Sequence, residues 1–175
     1  LSGVLNLTGG VPATVDATPA TGMTGSGVRQ QFPDLKAGFS NNPTEGTSAG
    51  CTLTIAGGTR TIAAGTPLGT PDLYFDPCAF TPAPTQQTLG NLGRNTLILP
   101  GRATVDFTLS KNYAVTEAMK VQFRLEAYNI FNHTNFGIPV VNSFDASNRA
   151  NAETGRITTT STTSRQIQLG LKLTF

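Results

Sequence analysis

Few side chains in this sequence are of a type that could do chemistry, and their spacing limits what that chemistry could be. Cys51 and Cys78 are the only cysteines, so they form either one disulfide or two free thiols. His133 is the only histidine. A zinc site draws its ligands from Cys, His and carboxylates, usually four of them, and one histidine with two cysteines is poor material for it. With a single histidine, a Ser-His-Asp hydrolase has little support. Asp106 and Glu126 come nearest to a glycosidase pair, which needs two acids in one cleft. Arg124 and Lys172 occupy comparable positions, so a charge-paired wall is the plainer expectation. Gly90-Asn91-Leu92-Gly93-Arg94-Asn95 lacks the Lys-Ser/Thr ending of a phosphate loop and reads as a turn. No catalytic residue, metal or cofactor is expected.

Composition narrows the elements that carry these residues. Charged residues make up 13% of the chain, about half the roughly 25% usual in soluble domains. Thr, Ser, Asn and Gln fill the difference, which argues against coiled coils, helix bundles and charge-rich disordered tails. A net charge of +2, with no Lys/Arg cluster, argues against nucleic acid as a partner. No apolar run approaches the roughly 18 residues of a transmembrane helix.

Three segments near the C-terminus alternate with period two, as strands with unlike faces do. Ala103, Val105, Phe107 and Leu109 point one way, against Thr104, Asp106, Thr108 and Ser110. Val121, Phe123, Leu125 and Ala127 oppose Gln122, Arg124 and Glu126. Ile167, Leu169, Leu171, Leu173 and Phe175 oppose Gln166, Gln168, Lys172 and Thr174. A weaker fourth strand sets Leu5 and Leu7 against Asn6 and Thr8. The fold class is all-β.

Connections between these strands are very unequal. The link from Tyr113 to Lys120 is short, 132–163 is long, and 11–102 is longer still and rich in Pro and Gly. The last reads as irregular structure, with a possible hairpin of 51–55 and 59–63 turning at Gly57-Gly58. Antiparallel strands of an outer-membrane barrel have this asymmetry, with short periplasmic turns, long extracellular loops, and alternation between lipid and lumen. All three segments match the 9–11 residues needed to cross at a tilt. Asp106, Arg124, Glu126 and Lys172 then face the lumen, and Tyr113, Phe131, Phe136 and Phe175 fit interfacial girdles. A soluble sandwich shows the same alternation; the loop asymmetry and low charge favour the membrane.

Certain runs carry a family resemblance. Glu126-Ala127-Tyr128-Asn129-Ile130-Phe131-Asn132-His133-Thr134-Asn135-Phe136-Gly137 resembles a run near the C-terminus of TonB-dependent outer-membrane receptors, the type with a carboxypeptidase-regulatory-like N-terminal domain. Tyr74-Phe75-Asp76-Pro77-Cys78-Ala79-Phe80, Gly90-Asn91-Leu92-Gly93-Arg94-Asn95-Thr96, Gly155-Arg156-Ile157 and Arg165-Gln166-Ile167-Gln168-Leu169 strengthen the match. Leu169, Leu171, Leu173 and the closing Phe175 resemble the signal that the barrel-assembly machinery reads. The resemblance implies that 165–175 runs inward, 120–131 outward and 103–113 inward, with 114–119 periplasmic. It also implies energised uptake of a scarce ligand (an iron chelate, a vitamin or a glycan) driven by TonB. The expected partners are outer-membrane lipid, the remainder of the barrel and its plug, and TonB through an N-terminal part. About four strands cannot close a barrel, whose smallest form has eight, so 1–175 is expected to be a C-terminal fragment of one. In an exported loop Cys51 and Cys78 would form a disulfide, closing roughly 28 residues and contributing about 3 kcal/mol; the reducing-compartment alternative leaves two thiols.

A rival reading is a secreted or cell-surface structural protein. Its strands would assemble edge to edge through runs such as Thr158-Thr159-Thr160-Ser161-Thr162-Thr163.

Overall fold

A computed structural model describes residues 1–18, 31–83 and 89–175. In chain order these hold β1 (Ser2–Thr8), β2 (Pro12–Ala13), β3 (Asp16–Ala17), β4 (Asp34–Leu35), β5 (Cys51–Ile55) and β6 (Gly58–Ile62). A 3-10 turn at Pro77–Ala79 precedes β7 (Phe80–Thr81) and β8 (Leu97–Ile98). The long strands β9 (Arg102–Ala114) and β10 (Lys120–Tyr128) follow, then β11 (Asn142–Phe144) and β12 (Gln166–Thr174). The all-β expectation holds. The chain divides into two compact units, one of 1–10, 100–136 and 160–175, the other of 11–99 and 137–159.

The first unit is one antiparallel sheet in the order β1-β9-β10-β12. Its strands are those that alternate in the sequence, because a half-buried pleated strand wants apolar residues at every second position. Leu5 pairs with Val105 and Leu7 with Ala103, while Leu125 pairs with both Leu109 and Leu169. The link between β9 and β10 is tight: the amides of Val115 and Thr116 donate to the Met119 carbonyl, at 2.9 and 3.2 Å. Both long connections leave from the opposite end, where Thr8 pairs with Arg102 and Tyr128 with Gln166. The strand directions match the expected topology. β1 and β12 are edges, and among the described residues the sheet does not close into a barrel.

The second unit corrects the expectation of irregular structure in 11–102. It has its own apolar core, built on Val15, Phe75, Ala79, Phe80, Leu97 and Phe144. Phe75 and Phe80 meet edge to face with ring centroids 6.1 Å apart, a preferred aromatic geometry. The strands here are two to five residues long and pair as β2-β8, β3-β11, β4-β7 and β5-β6. Runs of that length are too short to display a period. The β3-β11 pairing is parallel and joins residues from the two long connections into one body. The hairpin at 51–62 is present, but Ile55 pairs with Gly58, so the turn is Ala56-Gly57. Gly57 has φ +85° there and Ala56 has no positive φ, the pattern of a type II turn, whose second central position needs positive φ and so favours glycine.

Candidate functional site

Strand register decides which side chains share a face of the first unit, since directly paired residues in an antiparallel sheet project to the same side. One face carries the rows Phe107–Ala127–Ile167, Leu109–Leu125–Leu169 and Tyr113–Val121–Leu173, extended on β1 by Leu5 and Leu7. The other carries Thr108–Glu126–Gln168, Ser110–Arg124–Gly170 and Asn112–Gln122–Lys172. Among the described residues nothing covers the apolar face along β12: Leu169 is 71% exposed and Leu171 70%. The sheet is therefore not half of a soluble sandwich whose core lies within these residues. Phe175 follows β12 and is almost fully exposed.

Asp106, Arg124, Glu126 and Lys172 all lie on the polar face, as their shared even-numbered register requires. The expected charge-paired wall, however, reduces to one contact, between Arg124 Nη2 and Glu126 Oε1 at 2.6 Å. With Arg124 more than half exposed, that pair is worth less than about 1 kcal/mol. Gln122 donates to Asn112 at 2.8 Å, so neutral amides carry the next row. Asp106 belongs instead to the end of the sheet from which the long connections leave, where its carboxylate accepts the Asn129 amide at 2.9 Å.

That end is organised by three asparagines spaced three residues apart, Asn129, Asn132 and Asn135. Asn129 and Asn132 have φ of +48° and +52°, a conformation asparagine tolerates better than other side-chain-bearing residues. Asn129 Oδ1 accepts from the His133 amide, and its Nδ2 donates to the carbonyls of His133 and Thr163. Asn132 Oδ1 accepts from the Arg165 amide at 2.9 Å. Asn135 is almost wholly buried. Its side chain bonds both backbone groups of Ala103 and the Thr162 hydroxyl. The repeated asparagines were the available signal, but their partners lie about 30 residues away and cannot be inferred from spacing. His133 itself is exposed, with Nδ1 3.2 Å from Asn135 Oδ1. Phe136 departs from the girdle expectation: it is half-buried, and its backbone bridges Thr160. Thr162 and Thr163 are likewise held by asparagines rather than forming a free edge.

In the second unit two of the resembling runs, Tyr74–Phe80 and Gly155–Ile157, meet. Cys51 and Cys78 form a disulfide with Cα atoms 5.7 Å apart, which removes the free-thiol alternative. It fastens β5 to the 3-10 turn, whose N-cap is the buried Asp76, accepting from the Cys78 amide and the Ser48 hydroxyl at 3.0 Å each. Gly155 has φ +84°, and a Cβ there would stand 2.8 Å from the Phe75 carbonyl oxygen. The Tyr74 amide donates to the Gly155 carbonyl at 2.7 Å. Burial raises the Tyr74 phenol above its ordinary pKa. The Arg149 amide and side chain and the Ser147 amide hold the Asp145 carboxyl below its ordinary value.

A cavity of about 600 Å³ in this unit is lined by Phe39, Asn42, Glu45, Ser48 and Asp76, among others. Gly46-Thr47-Ser48-Ala49-Gly50 formally matches the Gly-x-Ser-x-Gly of hydrolases. The context is wrong for a nucleophile elbow, which needs a strand-to-helix turn and an exposed serine. Ser48 is 2% exposed, no helix follows it, and its hydroxyl caps Asp76. The only histidine, His133, is in the other unit. Among the described residues no cluster of metal-ligating side chains occurs.

The family model of the outer membrane beta barrel domain matches residues 1–168, a span that takes in the whole second unit and all of the first except 169–175. The chain belongs to that family, and its place is the bacterial outer membrane. No curated protein and no solved structure matches it.

Proposed function

We propose that the chain is the C-terminal part of the barrel of a TonB-dependent receptor that takes up a scarce ligand across the outer membrane. The observation that carries this reading is the sheet's division into one uncovered apolar face and one polar face, with both long connections leaving from one end. In a bilayer the apolar face meets acyl chains, and backbone groups at the β1 and β12 edges pair with further strands of the same barrel, since none can stay unpaired in hydrocarbon. Asp106, Arg124, Glu126 and Lys172 then face the lumen. The second unit stands on the outside, where a disulfide persists and where ligand is met. Leu169, Leu171, Leu173 and Phe175 present themselves to the barrel-assembly machinery as the terminal signal. No catalysis and no cofactor are proposed.

The test is the intact gene product. The reading expects a plug and further alternating strands to be encoded upstream of Leu1, and expects the intact protein to bind the periplasmic domain of TonB. A signal peptide directly before Leu1 would favour the rival reading of a surface protein that assembles through its open edges. Intact protein that does not bind TonB would overturn the receptor reading.

A further inference from the structure

The apolar face of the sheet carries one charge. Lys111 is odd-numbered on β9 and pairs with Phe123, which in turn pairs with Leu171. Its neighbours along the same face of its own strand are Leu109 and Tyr113, and those on β10 beside Phe123 are Val121 and Leu125. None carries an acid. Glu117, in the nearby turn, forms no ion pair with Lys111: the ion pairs among the described residues are Arg124–Glu126, Arg149–Asp145 and Arg156–Glu153. Asp106 and Glu126 are even-numbered and project from the opposite face.

We infer that Lys111, with Tyr113 beside it, is a binding site for the phosphodiester headgroup of a phospholipid in the periplasmic leaflet. The inference rests on the membrane reading above and adds a lipid contact to it. Depth supports it. Lys111 lies three residues from Ala114, the end of β9, which is about 10 Å along the strand and about 7–8 Å in depth at a barrel tilt near 40°. A lysine's four-carbon stem covers most of that, keeping its methylenes against Phe123 and Leu109 while the ammonium points toward the headgroup level. Tyr113 is 66% exposed on the same face, one row nearer the turn. An aromatic ring with a hydroxyl suits that level, with one end apolar and the other wet. At that level an ammonium is favoured by water and by anions alike, and the phosphate of a bilayer lipid is the anion available there. Register leaves one competitor. The position opposite Lys111 on the β1 side falls two residues before Leu1, and an acid there would pair with it instead.

The test uses the full-length protein extracted from outer membranes and examined by native mass spectrometry, with phosphatidylglycerol or an uncharged galactolipid of the same acyl chains added. Lys111→Met is expected to lower retained phosphatidylglycerol about fivefold, the factor expected for one basic group at an anionic membrane surface. Lys111→Arg should retain it, Lys172→Met should leave it unchanged, and galactolipid retention should not move in any variant. Equal phosphatidylglycerol retention in wild type and Lys111→Met overturns the site, as it would if an acid upstream of Leu1 held the lysine. Equal losses in Lys111→Met and Lys172→Met also overturn it. A dansyl label at Leu171→Cys, quenched or not by brominated acyl chains, reads the membrane contact of the face separately. Quenching there with no Lys111 effect removes this inference and leaves the barrel reading standing.

Discussion

The carboxamide of Asn135 holds both backbone groups of Ala103. Its Oδ1 accepts from the Ala103 amide at 2.7 Å, and its Nδ2 donates to the Ala103 carbonyl at 3.0 Å. The pairing imitates a strand partner. It ends the β9 ladder at the point where the chain passes from the sheet into the long connections, and it satisfies groups that β10 no longer reaches. Asn135→Ala should therefore cost about 2–3 kcal/mol, because buried partners lose their hydrogen bonds together. Asn132→Gly, which removes one exposed acceptor and suits the positive φ, should cost about 0.5 kcal/mol. Urea unfolding of the intact protein in detergent micelles measures both. Equal losses would mean that burial of Asn135 is not what matters.

Gly155 and Gly38 separate two effects that a glycine can serve. Both have positive φ, +84° and +85°, but only Gly155 has backbone, the Phe75 carbonyl, where a Cβ would stand. Gly155→Ala should cost about 2 kcal/mol or more, and Gly38→Ala only the conformational part, about 1 kcal/mol. Thermal melting followed by limited proteolysis of the second unit is the readout. A Gly38→Ala loss as large as that of Gly155→Ala would contradict the packing argument.

The Cys51–Cys78 disulfide closes a loop over 27 positions of sequence, so replacing both cysteines by alanine should cost about 3 kcal/mol. The loss is expected to fall on 11–99 and 137–159 as faster proteolysis, while cleavage within β9, β10 and β12 stays slow. Alkylation before and after reduction should count no thiols and then two. Thiols that alkylate in native, unreduced protein would contradict the bond.

Leu171 and Lys172 are neighbours in sequence on opposite faces. Leu171→Arg should cost about 2–4 kcal/mol near the bilayer midplane, and Lys172→Thr should cost little. Folding into vesicles at graded urea concentrations measures the pair. Equal tolerance would contradict the assigned facing.

How much of this could be read from the sequence follows from where the information lies. The strands around Phe107, Phe123 and Leu171 were legible because a pleated strand with unlike faces writes its period directly into the residues. The connections could be read only as long. The core around Phe75, Phe80, Val15 and Phe144 is assembled by turns and two-residue pairings, and contacts between such distant residues leave no local period. Asn129 and Asn135 were visible as a family signature, but their work depends on Thr163, Ala103 and Thr162. Asp106 could be read onto the polar face, yet its partner is the Asn129 amide rather than a cation, because the turn after β10 brings that amide within 2.9 Å.

The most direct test of the account is a cysteine scan of 166–174 in the intact protein in lipid vesicles, each site carrying one environment-sensitive fluorophore. Quenching by brominated acyl chains should rise at 167, 169, 171 and 173 and fall at 166, 168, 172 and 174. A profile without that alternation, or with the two sets exchanged, would contradict the claim that this face of the sheet meets lipid.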